Sequence, residues 1–394
     1  MKVNRIVFFC STPFTKRDFK RFGEDILEEN GFEVWFYDFS PIVFPKLYES
    51  CTFPDLFKPQ NHFLFLTEGE ALKAISEIPS DSLIINLLGF DSGSFKFFKA
   101  ISKARIPYCV LAPNSIPVGQ EKRPLGILKF MKKLFSLNMG SLKKIIYRPQ
   151  FAPLLGIQRP EYCIVASEYS LEKNRIRYFI DKNTEILWAH PLDYDIYLES
   201  SDEEVKIPIE NRVFLEPLQP MFRGDVLAMD YKIFTTVENY YPSLCKFFDH
   251  IEKQIDTKVE IAAHPKSDHP PNPEYYGRRK VLRGNTFEML KNSKFIMAHM
   301  SNAIQLGILL KKPILFLTTR ELKQDKRLSS MIKAFADSIG KTVINIDEPL
   351  NIDWEKELYV DEKIYDDCID TYIKKKGSEK LNTWQILSNR LRNF

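Results

Sequence analysis

The apolar positions of the chain form short continuous runs that alternate with stretches of helical periodicity. The runs RIVFFC (5–10), SLIINLLG (82–89) and YCIVAS (162–167) are almost entirely apolar rather than apolar at every second position. Continuous apolar strands are typical of a parallel sheet that is covered by helices on both faces. The first half of the chain is therefore predicted to be a doubly wound α/β domain.

The same alternation begins again after an acidic and polar segment, LESSDEEVKIPIEN, at 198–211. Further strands are predicted from RVFLEP (212–217), KVEIAAHP (258–265), FIMAH (295–299) and PILFL (313–317). Helical periodicity predicts helices at 16–30, 94–104, 242–255, 301–310, 321–339 and 361–375.

The fold class that follows is α/β, with two Rossmann-like domains facing a central cleft. We predict an N-terminal domain at 1–197 and a linker at 198–211. A C-terminal domain is predicted at 212–378, followed by a closing helix at 379–394. In sheets of this kind ligands bind at the carboxyl ends of the strands, so residues directly after strands are the candidates.

Composition excludes several other classes of protein. A chain of 394 residues is long enough for two cores, and 44% hydrophobic with 27% charged residues is typical of a globular protein. The net charge of +4 gives no general argument for a nucleic-acid partner. The six cysteines form no CxxC pair, and no apolar stretch reaches the roughly 18–20 residues of a membrane span. We therefore expect a cytoplasmic protein.

His264 and Pro265 directly follow the predicted strand KVEIAA. The proline ends the strand and fixes the turn, so the imidazole is rigidly placed where it can hold a phosphate. Ser301 and Asn302 follow FIMAH and open a predicted helix, whose N-terminal N–H groups favour an anion. The alternatives are a structural histidine at a strand end and a serine that only caps the helix.

Glu288 lies on a short predicted helix that Thr286 can cap. A carboxylate there can accept hydrogen bonds from the two ribose hydroxyls of a nucleotide; the alternative is a solvated surface side chain.

The stretch from EIAAHP to KKPILFL resembles the nucleotide-binding half of GT-B glycosyltransferases that use CMP-activated acidic sugars. Bacterial sialyltransferases and Kdo transferases are the nearest groups. The resemblance covers roughly residues 212–320 and rests on His264-Pro265, Ser301 and Lys312-Pro313. It implies that His264 and Ser301 serve the phosphate of CMP. It also implies that the domain at 1–197 lies on the acceptor side, that the domain at 212–378 binds the nucleotide, and that the closing helix at 379–394 packs back on the first domain. Many of these enzymes have paired Ser or Ser-Thr where this chain has Ser301-Asn302.

A sugar transferase also needs a base for the acceptor hydroxyl, or a carboxylate nucleophile. Glu216 ends the strand VFLEP and is the first candidate; the alternatives are Asp225 and Asp230 in the following loop and Asp91 in the N-terminal half. Asp193 and Asp195 match a D-x-D metal pattern but are interpreted as a structural hinge. We predict no metal and no cofactor, because His264, Lys266 and the Ser301 helix end can neutralise a leaving monophosphate.

Residues 123–148 contain no acidic side chain and mix lysines with large apolar residues. A basic amphipathic segment is typical of proteins that bind an anionic membrane surface, although it can equally pack on the sheet. With this segment the enzyme would lie at the inner face of the membrane.

The sequence therefore predicts transfer of a nonulosonic-acid-type or Kdo-type sugar from a CMP donor to a bacterial surface glycan, which a lipid can carry. The enzymatic alternatives are a CDP-polyol phosphotransferase and a UDP-sugar epimerase or transferase. The non-catalytic alternative is a nucleotide-binding protein of glycan synthesis. No nucleic-acid partner is expected.

Overall fold

The computed structural model describes residues 2–50, 55–113, 116–117, 149–200, 211–217, 220–221, 232–255 and 258–392. Two sheets organise these residues, and every pair of neighbouring strands is parallel. The first sheet has seven strands: β1 Arg5–Cys10, β2 Glu33–Asp38, β3 His62–Leu64, β4 Ser82–Asn86, β5 Tyr108–Ala112, β6 Tyr162–Val165 and β7 Glu185–Trp188. The second has six: β8 Arg212–Leu215, β9 Val259–Ala262, β10 Val281–Leu282, β11 Phe295–Ala298, β12 Ile314–Thr318 and β13 Val343–Asn345.

Helices connect the strands and cover both faces of each sheet. They are α1 Lys16–Arg21, α2 Glu24–Glu29, α3 Ser40–Val43, α4 Pro45–Ser50, α5 Glu68–Ser76, α6 Phe95–Ala104, α7 Glu168–Lys173, α8 Leu192–Ser200, α9 Val237–Ile255, α10 Thr286–Lys291, α11 Ile304–Leu309, α12 Lys326–Ser338, α13 Trp354–Leu358, α14 Glu362–Cys368 and α15 Thr383–Arg392. Short 3-10 helices lie at Pro149–Phe151, Arg175–Tyr178, Glu274–Tyr276 and Leu322–Gln324, and a π-helical turn at Ile369–Ile373.

The apolar strands are buried from both sides, which is why their sequences show no alternation. All five residues of β4 and all four residues of β8 and β11 are buried. Each sheet has a separate hydrophobic cluster on each face. The predicted fold class, two doubly wound α/β domains, is confirmed.

The strand order reverses once in each sheet, and this reversal decides where a ligand can bind. The orders are β3-β2-β1-β4-β5-β6-β7 and β10-β9-β8-β11-β12-β13. In the first sheet the chain leaves β1 and β4 toward opposite faces of the sheet. In the second sheet it leaves β8 and β11 in the same way. Each reversal opens a crevice at the carboxyl ends of the two strands.

Contacts from the end of the chain reach the first domain. In α15, Trp384 is fully buried in the cluster that contains Phe8 and Leu27. The N–H of Thr383 donates to Asp195 Oδ1 at 2.9 Å. The predicted domain limits stay a prediction; α8 continues to Ser200, and residues 201–210 of the predicted linker lie outside the described residues.

Several predicted helix limits are wrong. The helix predicted at 16–30 is two helices, because Gly23 adopts a left-handed backbone (φ 53°) where a Cβ would collide with the Trp384 ring. The helix predicted at 301–310 begins only at Ile304. The one predicted at 242–255 begins at Val237 and contains Pro242. The sequence also missed β3, whose three residues are too few to show a pattern.

Candidate functional site

The carboxyl ends of β8, β9 and β11 bring three of the predicted residues to one edge of the second sheet. Glu216 follows β8, His264 follows β9 and Ser301 lies in the turn after β11. Because β8 lies between β9 and β11, His264 and Ser301 are not on neighbouring strands. Two strand spacings place these strand ends about 9.5 Å apart. A ligand held by both residues must therefore lie over the end of β8.

Glu216 is buried and its two oxygens are both hydrogen-bonded. Oε2 accepts from the His264 N–H at 2.7 Å and lies 3.0 Å from Ser267 Oγ. Oε1 lies 2.6 Å from His269 Nε2, and the side chains of Glu216 and His269 are 1% and 0% exposed. On the far side of the ring, His269 Nδ1 lies 2.6 Å from the Tyr275 hydroxyl. Glu216 is therefore the centre of a buried polar network.

The turn at His264 is built by its own sequence. The Ser267 N–H donates to the His264 carbonyl at 2.9 Å, which closes a four-residue turn with Pro265 at its second position. The Lys266 N–H donates to His264 Nδ1 at 3.1 Å. Since Nδ1 accepts this bond, the neutral ring carries its proton on Nε2. The imidazole therefore presents a donor, as phosphate binding requires.

Ser301 does not cap a helix in the predicted way. Its Oγ accepts from the Ala303 N–H at 3.2 Å within a turn, and α11 starts three residues after Ser301 and has only six residues. Ser301 is half-buried and Asn302 is exposed. The prediction that a helix opens at Ser301 is therefore wrong; at this place the turn offers its hydroxyl and local N–H groups.

Glu288 is exposed on α10, and no side chain caps that helix, so the cap predicted from Thr286 is wrong. Thr286 is the first helical residue, and Asn285 occupies the cap position. The position of Glu288 leaves its carboxylate accessible, and its role toward a ribose stays a prediction.

A cation that the sequence pattern does not single out lies beside the His264 turn. Arg283 follows β10, and its Nη1 lies 3.5 Å from the Ser267 carbonyl oxygen and 3.8 Å from Asp268 Oδ1. Its Nη2 lies 3.6 Å from Asp55 Oδ2 of the first domain. The edge of the second sheet therefore faces the first domain across the cleft at Arg283.

In the first domain, Asp91 lies in the loop between β4 and α6, beside the point where the strand order reverses. Its Oδ1 accepts from the N–H groups of Gly93 at 2.7 Å and Ser94 at 3.1 Å. The residue is exposed, so its carboxylate is accessible to solvent although one oxygen stabilises the loop.

The aspartates of the D-x-D pattern have structural partners. Asp193 lies 3.4 Å from Arg21 Nη2 and 3.7 Å from Arg17 Nη2. Asp195 accepts from Thr383, as described above, and burial raises its pKa to about 7. Within the described ranges no group of three or more His, Cys, Asp or Glu side chains is arranged to hold a metal ion.

The residues missed by sequence reasoning are Ser267, His269, Tyr275 and Arg283. A signal was present, because a second histidine, His269, follows His264 at the carboxyl end of the same strand. The pairing of His269 with Glu216, 53 positions apart, depends on β8 and β9 being neighbours.

The basic segment 123–148 and the loop with Asp225 and Asp230 lie outside the described residues. Among those that are described, no helix is long and apolar enough to cross a membrane.

No family model matches the chain, and no curated protein matches its sequence. Solved structures match its fold over nearly the whole length. The wall teichoic acid polymerase TagF aligns with a TM-score of 0.55 at 13% identity, covering 99% of this chain and 89% of that one. A UDP-N-acetylglucosamine 2-epimerase aligns with a TM-score of 0.50 at 12% identity, covering 100% and 97%.

At these identities the likeness shows the fold. The chain has the GT-B arrangement of two Rossmann-like domains that face each other, as predicted. The fold alone does not determine the activity.

Proposed function

We propose that the protein is a glycosyltransferase that moves a nonulosonic-acid-type or Kdo-type sugar from a CMP donor to a bacterial surface glycan. The observation that supports this most directly is the His264 turn at the carboxyl edge of the second sheet. Its imidazole is fixed as an Nε2–H donor by the Lys266 N–H, which suits the single phosphate of CMP. Ser301 approaches the same ligand from the far side of β8.

The charges around the turn fit an acidic donor. Arg283 lies within 4 Å of the turn residues Ser267 and Asp268, and its planar guanidinium can bind a sugar carboxylate in a bidentate manner. Lys266 adds a second cation beside the phosphate. In this proposal these side chains neutralise the leaving CMP without a metal or a cofactor.

The proton of the acceptor hydroxyl requires a base on the opposite side of the donor. Asp91 is exposed at the crevice of the first domain and can meet an acceptor there. In this proposal Asp91 takes the proton as the bond between sugar and CMP breaks, and Glu288 binds the ribose hydroxyls. The acceptor glycan, whether free or linked to a lipid, enters from the side of the first domain.

The experiment that tests the proposal is thermal unfolding in a buffer with a chelator, in the presence of CMP, UDP or GDP. A ligand at a hundredfold excess over Kd stabilises the folded state by about 2.7 kcal/mol. CMP should raise the Tm more than UDP or GDP, because no described residue is assigned to a second phosphate. His264→Ala and Ser301→Ala should each reduce the CMP shift. His250→Ala, on α9, is the matched control and should leave the shift intact.

The results also separate the alternatives. Stabilisation only by UDP with magnesium would contradict the CMP assignment and favour a UDP-sugar epimerase or transferase. A product that contains phosphate from the donor would identify a polyol phosphotransferase. CMP binding without turnover of any CMP-sugar and acceptor would indicate a non-catalytic nucleotide-binding protein.

A further inference from the structure

The Glu216 carboxylate packs under the His264 turn and is hydrogen-bonded to it. Its Oε2 accepts the backbone N–H of His264 itself, at 2.7 Å, and Ser267 Oγ, which closes the turn, lies 3.0 Å away. Ser267 Oγ also lies 2.7 Å from the His264 carbonyl. The carboxylate is therefore bonded to both ends of the turn that carries the proposed phosphate ligand.

A general base must come within hydrogen-bond reach of the hydroxyl that it deprotonates. The Glu216 side chain is only 1% exposed, and its oxygens are already hydrogen-bonded to His264, Ser267 and His269. An acceptor hydroxyl would have to break this network before it met the carboxylate. The arrangement is therefore suited to fixing a structure rather than to exchanging protons with substrate.

His269 and Tyr275 complete the arrangement behind Glu216. With the ring neutral, His269 Nε2–H donates to Glu216 Oε1 at 2.6 Å, and Nδ1 accepts from the Tyr275 hydroxyl at 2.6 Å. Burial and the Glu216 charge raise the pKa of Tyr275, which keeps its phenol protonated and able to donate. Glu216, His269 and Tyr275 thus each have a defined hydrogen-bond partner and orientation.

We infer that Glu216, His269 and Tyr275 form a positioning relay that sets the orientation of the His264 imidazole, and that Glu216 is not the catalytic base. The inference rests on the proposed function only for the ligand that His264 binds. The other part of the inference, that Glu216 fixes the conformation of the His264 turn, does not depend on any ligand.

The amide analogue of Glu216 provides a sharp test, because the network can adapt to it. In Glu216→Gln the amide oxygen can still accept from His264 and Ser267, while the amide NH₂ faces His269. If the His269 proton moves to Nδ1, Nε2 accepts from the amide and the Tyr275 hydroxyl becomes the acceptor. Glu216→Ala has no such solution and leaves the His264 N–H unpaired.

The first measurement needs no nucleotide. The imidazole ¹⁵N resonances of His264, assigned by their loss in His264→Gln, report its tautomer and its hydrogen bond from Lys266. Glu216→Ala and His269→Ala should shift or broaden these signals, and Glu216→Gln should preserve them. Unchanged His264 signals in a folded Glu216→Ala protein would overturn the inference, whatever ligand the protein binds.

The second measurement compares CMP affinity with turnover. Glu216→Ala should weaken CMP binding about tenfold or more, in line with a lost hydrogen bond to a charged group. Glu216→Gln should restore most of that affinity and cost kcat only a few-fold. A base would give the opposite pattern: unchanged CMP affinity and an equally large loss of kcat, about a hundredfold or more, in both variants.

Lys341→Met is the control for a general loss of stability. Lys341 is buried and donates to the carbonyls of Lys356, Glu357 and Tyr359, and it takes no part in the network. This variant should lower the Tm and leave the His264 signals and CMP affinity unchanged. Failure of the unaltered protein to bind CMP would contradict the proposed function alone, because the ¹⁵N measurement would still decide the relay.

Discussion

The indole Nε1 of Trp384 donates a hydrogen bond to the carbonyl oxygen of Arg21, 2.7 Å away, although 363 positions separate the two residues. The same ring packs edge-on against Phe8, with ring centroids 5.2 Å apart. The closing helix α15 therefore completes the core of the first domain rather than that of the second.

Trp384→Ala should destabilise the first domain by about 3–5 kcal/mol, because it removes a fully buried ring and leaves a cavity. Urea unfolding followed by circular dichroism measures the loss. Trp354→Ala is the matched control, since that indole is partly exposed and donates to Gln254. Equal losses in the two variants would show that docking of α15 contributes no special stability.

Asp195 should make the unfolding free energy depend on pH. Burial raises its pKa to about 7, and one of its oxygens is buried with no hydrogen-bond partner among the described residues. The unfolded side chain titrates near 3.9, so the folded state holds the extra proton between about pH 4 and 7. The contribution of Asp195 to stability is thus complete at low pH and is lost as pH rises through this window.

Asp195→Asn keeps an acceptor for Thr383 and removes the titration. The stability of the variant relative to the original protein should therefore increase from pH 5 to pH 8, as measured by denaturant unfolding at each pH. Burial also raises the pKa of Glu24 to about 7, but Glu24 titrates in both proteins and cancels in the difference. A difference that is constant with pH would show that Asp195 is not protonated in the folded state.

The basic segment 123–148 is predicted to bind anionic membranes. Changing Lys132, Lys133, Lys143 and Lys144 to Glu should abolish sedimentation with vesicles of anionic lipid, because each basic residue near such a surface contributes about 1 kcal/mol. Activity on a soluble acceptor should persist.

The control for this prediction is an equal change of charge elsewhere. Four exposed lysines of the described residues serve: Lys73, Lys258, Lys333 and Lys376. Their replacement by Glu should leave vesicle binding largely intact. If both variants bind equally, the membrane role of 123–148 is wrong.

The strands were predictable because burial on both faces leaves an unbroken apolar run, as in β4 and β11. The division of the helix predicted at 16–30 was not, because it depends on how Gly23 meets Trp384, a residue from the other end of the chain. Periodicity within a window contains no information about such a contact.

The candidate site was predictable to a similar extent. That His264 and Ser301 lie at one edge of the sheet was predictable, because residues after parallel strands gather there. The burial of Glu216 was not foreseen, since a carboxylate after a strand looks the same in sequence whether it faces a substrate or supports a turn. Its partner His269 lies beyond that turn, and only the adjacency of β8 and β9 brings the two side chains together.

Arg283 should determine which donor sugar the protein prefers. Its guanidinium lies beside the His264 turn and 3.6 Å from Asp55 Oδ2 across the cleft. If Arg283 binds the sugar carboxylate, Arg283→Gln should weaken a CMP-activated acidic sugar about tenfold while changing CMP affinity less than about threefold. Arg283→Lys should fall between, since it keeps the charge and loses the bidentate geometry.

Asp55→Asn separates this role from an interdomain ion pair. The pair is largely exposed, with 35% and 61% of the two side chains accessible, so its loss should change stability by no more than about 1 kcal/mol. Because Asp55 competes with the donor carboxylate for Arg283, Asp55→Asn should keep or improve donor affinity, as isothermal titration calorimetry can measure. Equal weakening of CMP and of the CMP-sugar by Arg283→Gln would instead assign Arg283 to the phosphate or to the turn.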